Sequence, residues 1–173
     1  YVPPIVGFAS IGAKDTLRNI EETGEFVCNL ATRDLAEAMN QSCAAVAPEV
    51  NEFELAGLTP LASTHVRPPR VAESPVTLEC RRTQVLQLQG ADGVQVPTWL
   101  VLGEVVAVHI AKVLLKDGVY DTANAGLGFF GDNVFLCNTL NLSVDASVIS
   151  NGASFAPLAA LFLAASPQAG VPS

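Results

Sequence analysis

The stretch from residue 76 to residue 112 constrains the fold of this chain more than any other part of it. Apolar and polar residues alternate from Val76 to Arg81, which is the pattern of a half-buried β-strand. Residues 99–112 are rich in strand-forming residues, with Val the most frequent, and Gly-Ala-Asp-Gly at 90–93 marks a turn between the two runs. This order predicts two long antiparallel strands joined by a hairpin.

The remaining elements are short. They are predicted strands at residues 5–9 and 26–30, a helix from Asp15 or Thr16 to about Thr23, and a second helix from Asp34. Residues 48–75 are rich in Pro, Glu and Ala without a sustained period, which predicts a long surface excursion. Long strands joined by turns, with only two short helices, favour a mainly β fold and an antiparallel barrel over a doubly wound sheet.

Composition excludes several classes of function. The chain of 173 residues fits a single domain and carries a formal charge of −8, and no stretch clusters Lys and Arg with aromatic residues. A nucleic-acid partner is therefore not expected. The longest apolar run, residues 155–165, is too short to span a bilayer, which needs about 20 residues. Four cysteines without a C-x-x-C pair, and only two histidines, predict free thiols in the cytoplasm and no metal site.

The most informative stretch for function is residues 7–20, where a strand leads through small residues into the start of a helix. Exposed amides at a helix N-terminus favour an anion. Ser10 and Thr16 add hydroxyl donors, and Lys14 adds a positive charge. This arrangement can hold a phosphate monoester. The alternative is that Asp15 only caps the helix and Lys14 is solvated.

Several motifs in a fixed order resemble the flavin reductase-like family, whose fold is an FMN-binding split barrel of Greek-key type. The resemblance begins with Pro-Ile-Val-Gly-Phe-Ala-Ser and continues with Lys-Asp-Thr-Leu-Arg-Asn-Ile. In chain order it rests on residues 4–10, 14–20, 24–30, 38–40, 51–59, 69–75, 78–80 and 103–110. It covers roughly residues 4 to 121.

The resemblance implies a homodimer that binds FMN and takes a hydride from NADH or NADPH, passing electrons to flavin or another acceptor. An electron carrier without reductase turnover, and a barrel that has lost its cofactor, are the two alternatives. The cofactor-binding residues that it implies in this part of the chain are Ala9, Ser10, Lys14, Asp15, Thr16 and Asn19. No catalytic side chain is implied, because the cofactor supplies the redox chemistry. His109 is a candidate proton donor, although its apolar neighbours favour a structural histidine.

The tail from residue 122 to residue 173 departs from the family pattern, although residues 1–173 are read as one domain. Phe129 stands where the family has Arg, and the family's N-terminal hairpin is missing before Pro4. Residues 143–166 loosely resemble that hairpin, so we expect them to supply it in permuted order. The cofactor contacts then implied are Ser154, Ala156 and Pro157. A lineage-specific extension is the alternative.

Four other side chains have plain structural interpretations. Glu79 and Glu104 are expected at solvated strand positions. Cys43 is expected to be a buried structural thiol, and Trp99 to pack in the barrel or at an interface.

Overall fold

A computed structural model describes residues 3–44, 46–47, 50–120 and 136–137, which form a mainly antiparallel β structure. The strands are β1 (Ile5–Ile11), β2 (Glu25–Asn29), β3 (Pro60–Leu61), β4 (Arg70–Val71), β5 (Val76–Gln89), β6 (Gln95–Ile110), β7 (Leu115–Lys116), β8 (Val119–Tyr120) and β9 (Leu136–Cys137). The helices are α1 (Asp15–Thr23), α2 (Ala36–Ser42) and α3 (Glu52–Leu55), with 3₁₀ turns at Arg33–Leu35 and Lys112–Leu114. Most of the tail from residue 122, including the predicted permuted hairpin, lies outside the described residues.

Five strands form one sheet in the order β2-β5-β6-β1-β9, and every pair is antiparallel. The predicted hairpin is confirmed: β5 and β6 pair from Val76↔Ile110 to Gln89↔Gln95, with three register irregularities along the ladder. At the tip, Gly93 has a φ of 80° and its amide bonds the carbonyl of Gly90. Glycine adopts this left-handed conformation without steric cost. The mainly β class predicted from the sequence is confirmed.

One face of the sheet packs against α1 to make the main hydrophobic core. Leu17 and Ile20 of the helix are buried in it. The strands contribute Val6, Phe26, Cys28, Leu78, Cys80, Val101 and Val105. Gly24 ends the helix as predicted, with a φ of 71° and its amide bonded to the carbonyl of Ile20. The short helix buries only its apolar stripe, which is the usual source of helix stability in a protein.

The long excursion predicted before β5 is present in the structure, and part of it packs against the sheet. Residues 60–71, which we call the strap, begin with β3 and end with β4, and these two strands pair with each other. A second small apolar cluster lies at the base of the strap, formed by Ala56, Leu58 and Val71 with Leu35, Ala38 and Phe53 packed against it.

Several local expectations were wrong. Lys14, and not Asp15, is the residue that precedes α1. Helix α2 begins at Ala36, after a 3₁₀ turn that contains Asp34. Cys43 is exposed and free, because it lies at the end of α2. The first half of β5 is buried on both faces, since the strap covers the face that the alternating pattern predicted to be solvated.

No helix among the described residues is both long and apolar enough to cross a membrane.

Candidate functional site

The end of β1, the loop at residues 12–14 and the start of α1 form one corner of the molecule. Gly12 has a φ of 81°, and its amide donates to the carbonyl of Pro97 at 2.8 Å. This bond ties the loop to β6, where Ile11 pairs with Thr98. A Cβ built on Gly12 would meet no atom within 4 Å, so there is open space beside the loop. The corner therefore combines a backbone tied to β6 with a surface at Gly12 that no neighbouring atom covers.

The predicted binding residues of this corner lie together but differ in exposure. Lys14 is exposed and stands directly before the helix. Thr16 and Asn19 are half-buried on α1. Ser10 is buried, and its hydroxyl donates to the carbonyl of Gly12 at 3.2 Å. Its proton is thus committed within the loop, and Lys14 and Thr16 are the more available donors.

Helix α1 adds free amides to these side chains. The first four N–H groups of a helix have no partner within it, and the helix dipole places partial positive charge there. The charges of the side chains around these amides nearly cancel. Asp15 pairs with Arg18 one turn later, at the surface of the helix. An anion at this corner would therefore be bound mainly by amides, Lys14 and Thr16.

Glu52 is a neighbour of this corner that sequence reasoning missed. It is the first residue of α3 and is half-buried. Burial raises its pKa, the negative charge of Asp15 raises it further, and the positive charge of Lys14 opposes both. These interactions place Glu52 within electrostatic range of the loop, although 37 positions separate Glu52 from Asp15. No local sequence signal could have revealed this.

Two other residues that the sequence analysis predicted for the site, Ala9 and His109, lie on β1 and β6. Ala9 is half-buried and pairs with Leu100, one position before Ser10. His109 is far from the corner. It lies eleven positions beyond Thr98 on the same strand, or about 35 Å along it at ~3.3 Å per residue. Ser154, Ala156 and Pro157 lie outside the described residues.

His109 belongs to a second cluster, centred on Glu79. Its Nε2 lies 2.7 Å from Oε1 of Glu79. Glu79 is completely buried, which corrects the expectation of a solvated carboxylate. Glu104 pairs in register with Arg81, so the two glutamates do not form a carboxylate pair. Among the residues that the structure describes, no group of three or more His, Cys, Asp or Glu could hold a metal ion.

Trp99 connects the corner to the core. It pairs in register with Ser10 on one side and with Gln87 on the other. It is partly buried against the main core, as the packing interpretation predicted. It is also the only tryptophan of the chain, so its fluorescence reports on this corner.

Comparison with known proteins links this architecture to one family. The profile of the family described as flavin reductase like domain matches residues 1–125. An uncharacterized protein of Halalkalibacterium halodurans is 39% identical over 126 residues, covering 69% of this chain and 59% of that protein. An uncharacterized protein of Aquifex aeolicus is 32% identical over 106 residues, covering 61% of this chain and 50% of that protein. The chain thus spans between half and three fifths of the length of these two relatives.

Solved structures of the same fold are more distant in sequence. Nitrilotriacetate monooxygenase component B from Bacillus cereus superposes with a TM-score of 0.61 at 24% identity, covering 82% of this chain and 88% of that one. A protein of Shewanella frigidimarina described as a flavin reductase with a split barrel domain superposes with a TM-score of 0.62 at 22% identity. That match covers 99% of this chain and 71% of the other. These likenesses establish a split-barrel fold.

Proposed function

Because this chain belongs to the flavin reductase-like domain family, we propose that it is a flavin oxidoreductase that binds FMN and transfers hydride from NADH or NADPH to flavin. The observation that carries the proposal is the corner at the end of β1. There, open space beside Gly12, helix amides, Lys14 and Thr16 meet within the family match. This donor set suits a phosphate monoester.

Different groups of the corner would make different contacts with the phosphate of FMN. The first amides of α1 and the hydroxyl of Thr16 would donate to its oxygens, while Lys14 supplies the compensating charge. Ser10 would join only if its hydroxyl turned away from Gly12. Asn19 and Ala9 would line the site, and Asp15 would keep Arg18 beside it. When bound, the flavin supplies the hydride-accepting chemistry, and the protein supplies binding and orientation.

Glu52 would tune how strongly the corner binds a dianion. A carboxylate beside the loop weakens the positive potential of Lys14 and the helix amides. Conversely, a bound phosphate would raise the pKa of Glu52 further and favour its protonated form. The corner would therefore prefer one phosphate group to a larger anionic charge.

An electron carrier without reductase turnover is the second candidate. It is favoured by the likeness to two flavoredoxins, from Desulfovibrio vulgaris at a TM-score of 0.58 and from Methanosarcina acetivorans at 0.60. Anaerobic mixing with NADH or NADPH distinguishes the two candidates, since only a reductase loses its flavin absorbance rapidly.

Two features of the assembly are also proposals. We propose a homodimer, because two apolar residues are exposed, Leu86 on the part of β5 beyond its pairing with β2 and Val94 at the hairpin tip. We propose a cytoplasmic location, since Cys28, Cys43 and Cys80 are free thiols.

The decisive experiment is a titration of the purified, flavin-free protein with FMN, followed by the fluorescence of Trp99. Replacing Lys14 and Thr16 together by Ala should weaken FMN binding at least ~100-fold, because charge-assisted hydrogen bonds contribute about 1.5–3 kcal/mol each. Glu52→Gln should strengthen it by a few fold. Lys112→Ala, at an exposed lysine in the 3₁₀ turn after β6, is the matched control and should change nothing. Unchanged affinity in both site variants would contradict the proposed placement of the phosphate, and no FMN binding in the wild type would leave only the cofactor-free barrel.

A further inference from the structure

The face of the sheet opposite α1 is covered by the strap and is polar. In the β2–β5 ladder Val27 pairs with Glu79 and Asn29 pairs with Thr77, so these four side chains share that face. All four are buried. A sheet face that lies against a covering segment is normally apolar, so three buried polar side chains there require partners. The strap supplies most of them.

Glu79 is the centre of the contact between strap and sheet. Its Oε1 accepts from the amide of Thr64 at 2.8 Å and from the hydroxyl of Thr64 at 3.0 Å. Its Oε2 accepts from the amide of His65 at 2.6 Å. His109 of β6 contributes the fourth bond, from the sheet itself. One carboxylate thus binds two consecutive amides of the strap.

The directions of these bonds follow from the chemistry of the groups. An ionised carboxylate only accepts, so Nε2 of His109 must carry a hydrogen. The hydroxyl of Thr64 gives its single proton to Glu79, and so it accepts from Nδ1 of His65, 2.8 Å away. Every group around Glu79 therefore donates toward it. A neutral carboxylic acid would add a fifth hydrogen to the four that already point at the carboxylate, and would leave hydrogen bonds unmade.

The groups that face Glu79 all favour its ionised form. From the strap, Nδ1 of His65 and Nε of Arg70 each lie 3.9 Å from a carboxylate oxygen. From β6 comes His109, and the in-register neighbours Val27 and Ala107 are uncharged. Burial raises the pKa of Glu79, but the bonds from Thr64, His65 and His109 lower it more, from 4.5 to about 2.

Few apolar contacts reinforce this attachment. Val66, Pro68 and Val71 are the buried strap residues, and most of the others are exposed. Two more polar contacts tie the strap to β2, namely Val71 amide to Asn29 Oδ1 at 2.9 Å and the exposed Arg67 to Glu25. Segments with few buried apolar contacts open locally at lower free energy than the sheet that they cover.

We propose that the strap is a cover that opens as a unit, and that the ionised Glu79 carboxylate is the latch that keeps it closed on the sheet. Neutralising the carboxylate releases Thr64 and His65 while the five-stranded sheet stays folded. Opening exposes the His109–Glu79 pair and the hydroxyl of Thr77, which has no hydrogen-bond partner among the described residues.

The test is amide hydrogen exchange of the full chain at pH 7, read at Thr64 and His65 against the amides of the β2–β5 ladder. Glu79→Gln should lower protection of these two amides about 100-fold, because a carboxamide keeps one acceptor and adds a donor among donors. Ladder amides should keep their protection. Glu73→Gln is the matched control: Glu73 is an exposed carboxylate that accepts from the amide of Thr59, just before the strap, so Thr64 and His65 should be unaffected.

Two outcomes would overturn the latch. One is unchanged protection of Thr64 and His65 in Glu79→Gln, and the other is their loss of protection in step with the ladder. If that variant does not fold, the wild type answers the question through protection factors between pH 5 and pH 2.5. Selective loss at the two strap amides as pH falls supports the latch, and simultaneous loss with the ladder refutes it.

Discussion

The two faces of the β2–β5 ladder are buried by opposite chemistry, although alternate residues of the same two strands form them. Phe26, Cys28, Leu78 and Cys80 face α1 in a dry core. Asn29, Thr77 and Glu79 face the strap and are equally inaccessible. The first interface gains free energy in proportion to the apolar area that it removes from water. The second depends on each polar atom meeting its partner, so single atoms decide its stability.

The largest expected effect is a test of the dry face. Phe26→Ala removes a ring that is fully buried and packs edge-on against Phe8 at 5.7 Å between centroids. We expect a loss of about 3–5 kcal/mol in the free energy of unfolding, from lost burial and the cavity left behind. Urea denaturation measures it, and Val94→Ala at the exposed hairpin tip should cost less than ~0.5 kcal/mol. A loss below about 1 kcal/mol for Phe26→Ala would mean that the ring is not closely packed in the core.

The second largest effect is the contribution of the polar face to the free energy of unfolding, which depends on pH. Because the folded-state pKa of Glu79 lies near 2, below its ordinary value of 4.5, its contribution to stability is complete above pH 4.5 and is lost as pH falls toward 2. The shift corresponds to about 3 kcal/mol. The stability difference between the wild type and Glu79→Gln should therefore shrink by about that amount between pH 5 and pH 2.

Glu25 and Glu73 also have lowered pKa values, held down against burial by Arg67 and by Thr59 respectively. Both remain in the variant, so subtracting the two urea-denaturation series isolates Glu79. Parallel pH dependences of the wild type and the variant would show that the polar face does not rely on this charge.

A smaller effect sharpens the description of the dry face as closely packed. A Cβ at Gly103 would lie 2.4 Å from Cε1 of Phe26 and 3.1 Å from the carbonyl of Arg81. Gly103→Ala should therefore cost about 1–3 kcal/mol through overpacking. In a Phe26→Leu background the cost should fall, since the clashing ring is gone, and a double-mutant cycle measures the difference. Strictly additive effects would contradict the contact.

The smallest effect concerns the one buried side-chain atom of the described residues that lacks a partner. Thr77→Val removes its hydroxyl at nearly constant shape. Stability should stay the same or rise by about 1 kcal/mol, because no hydrogen bond is lost and a buried polar group disappears. Thr83→Val, at an exposed position of β5, is the reference and should lie within about 0.5 kcal/mol of the wild type. A clear loss for Thr77→Val would reveal a bound water as the missing partner.

Local patterns predicted much of the fold and part of the candidate site. The turn at 90–93, the end of α1 at Gly24 and the hairpin of β5 and β6 follow from residue types over a few positions. Ser10, Lys14 and Thr16 belong to one short segment, so local sequence patterns could also predict that they lie close together. Their proposed role in holding a phosphate stays a prediction.

Local sequence patterns could not predict the contacts between segments that are distant in the chain. Glu52 lies 38 positions after Lys14 in the chain, and only the folded structure brings it within electrostatic range of the loop. Glu79 has the alternating pattern of a solvated strand position, and nothing near it in sequence announces Thr64, His65 and His109 as partners. The strap converts that position into a buried one.

The sequence by itself determined the antiparallel strands, their turns and the apolar face of β5, because hydrophobic alternation and turn chemistry act between neighbouring residues. Only the tertiary structure decided which segment covers the other face and which charge is buried beneath it. The physical reason is that a buried carboxylate is stable only when several donors reach it together, and those donors come from parts of the chain that only folding brings into contact.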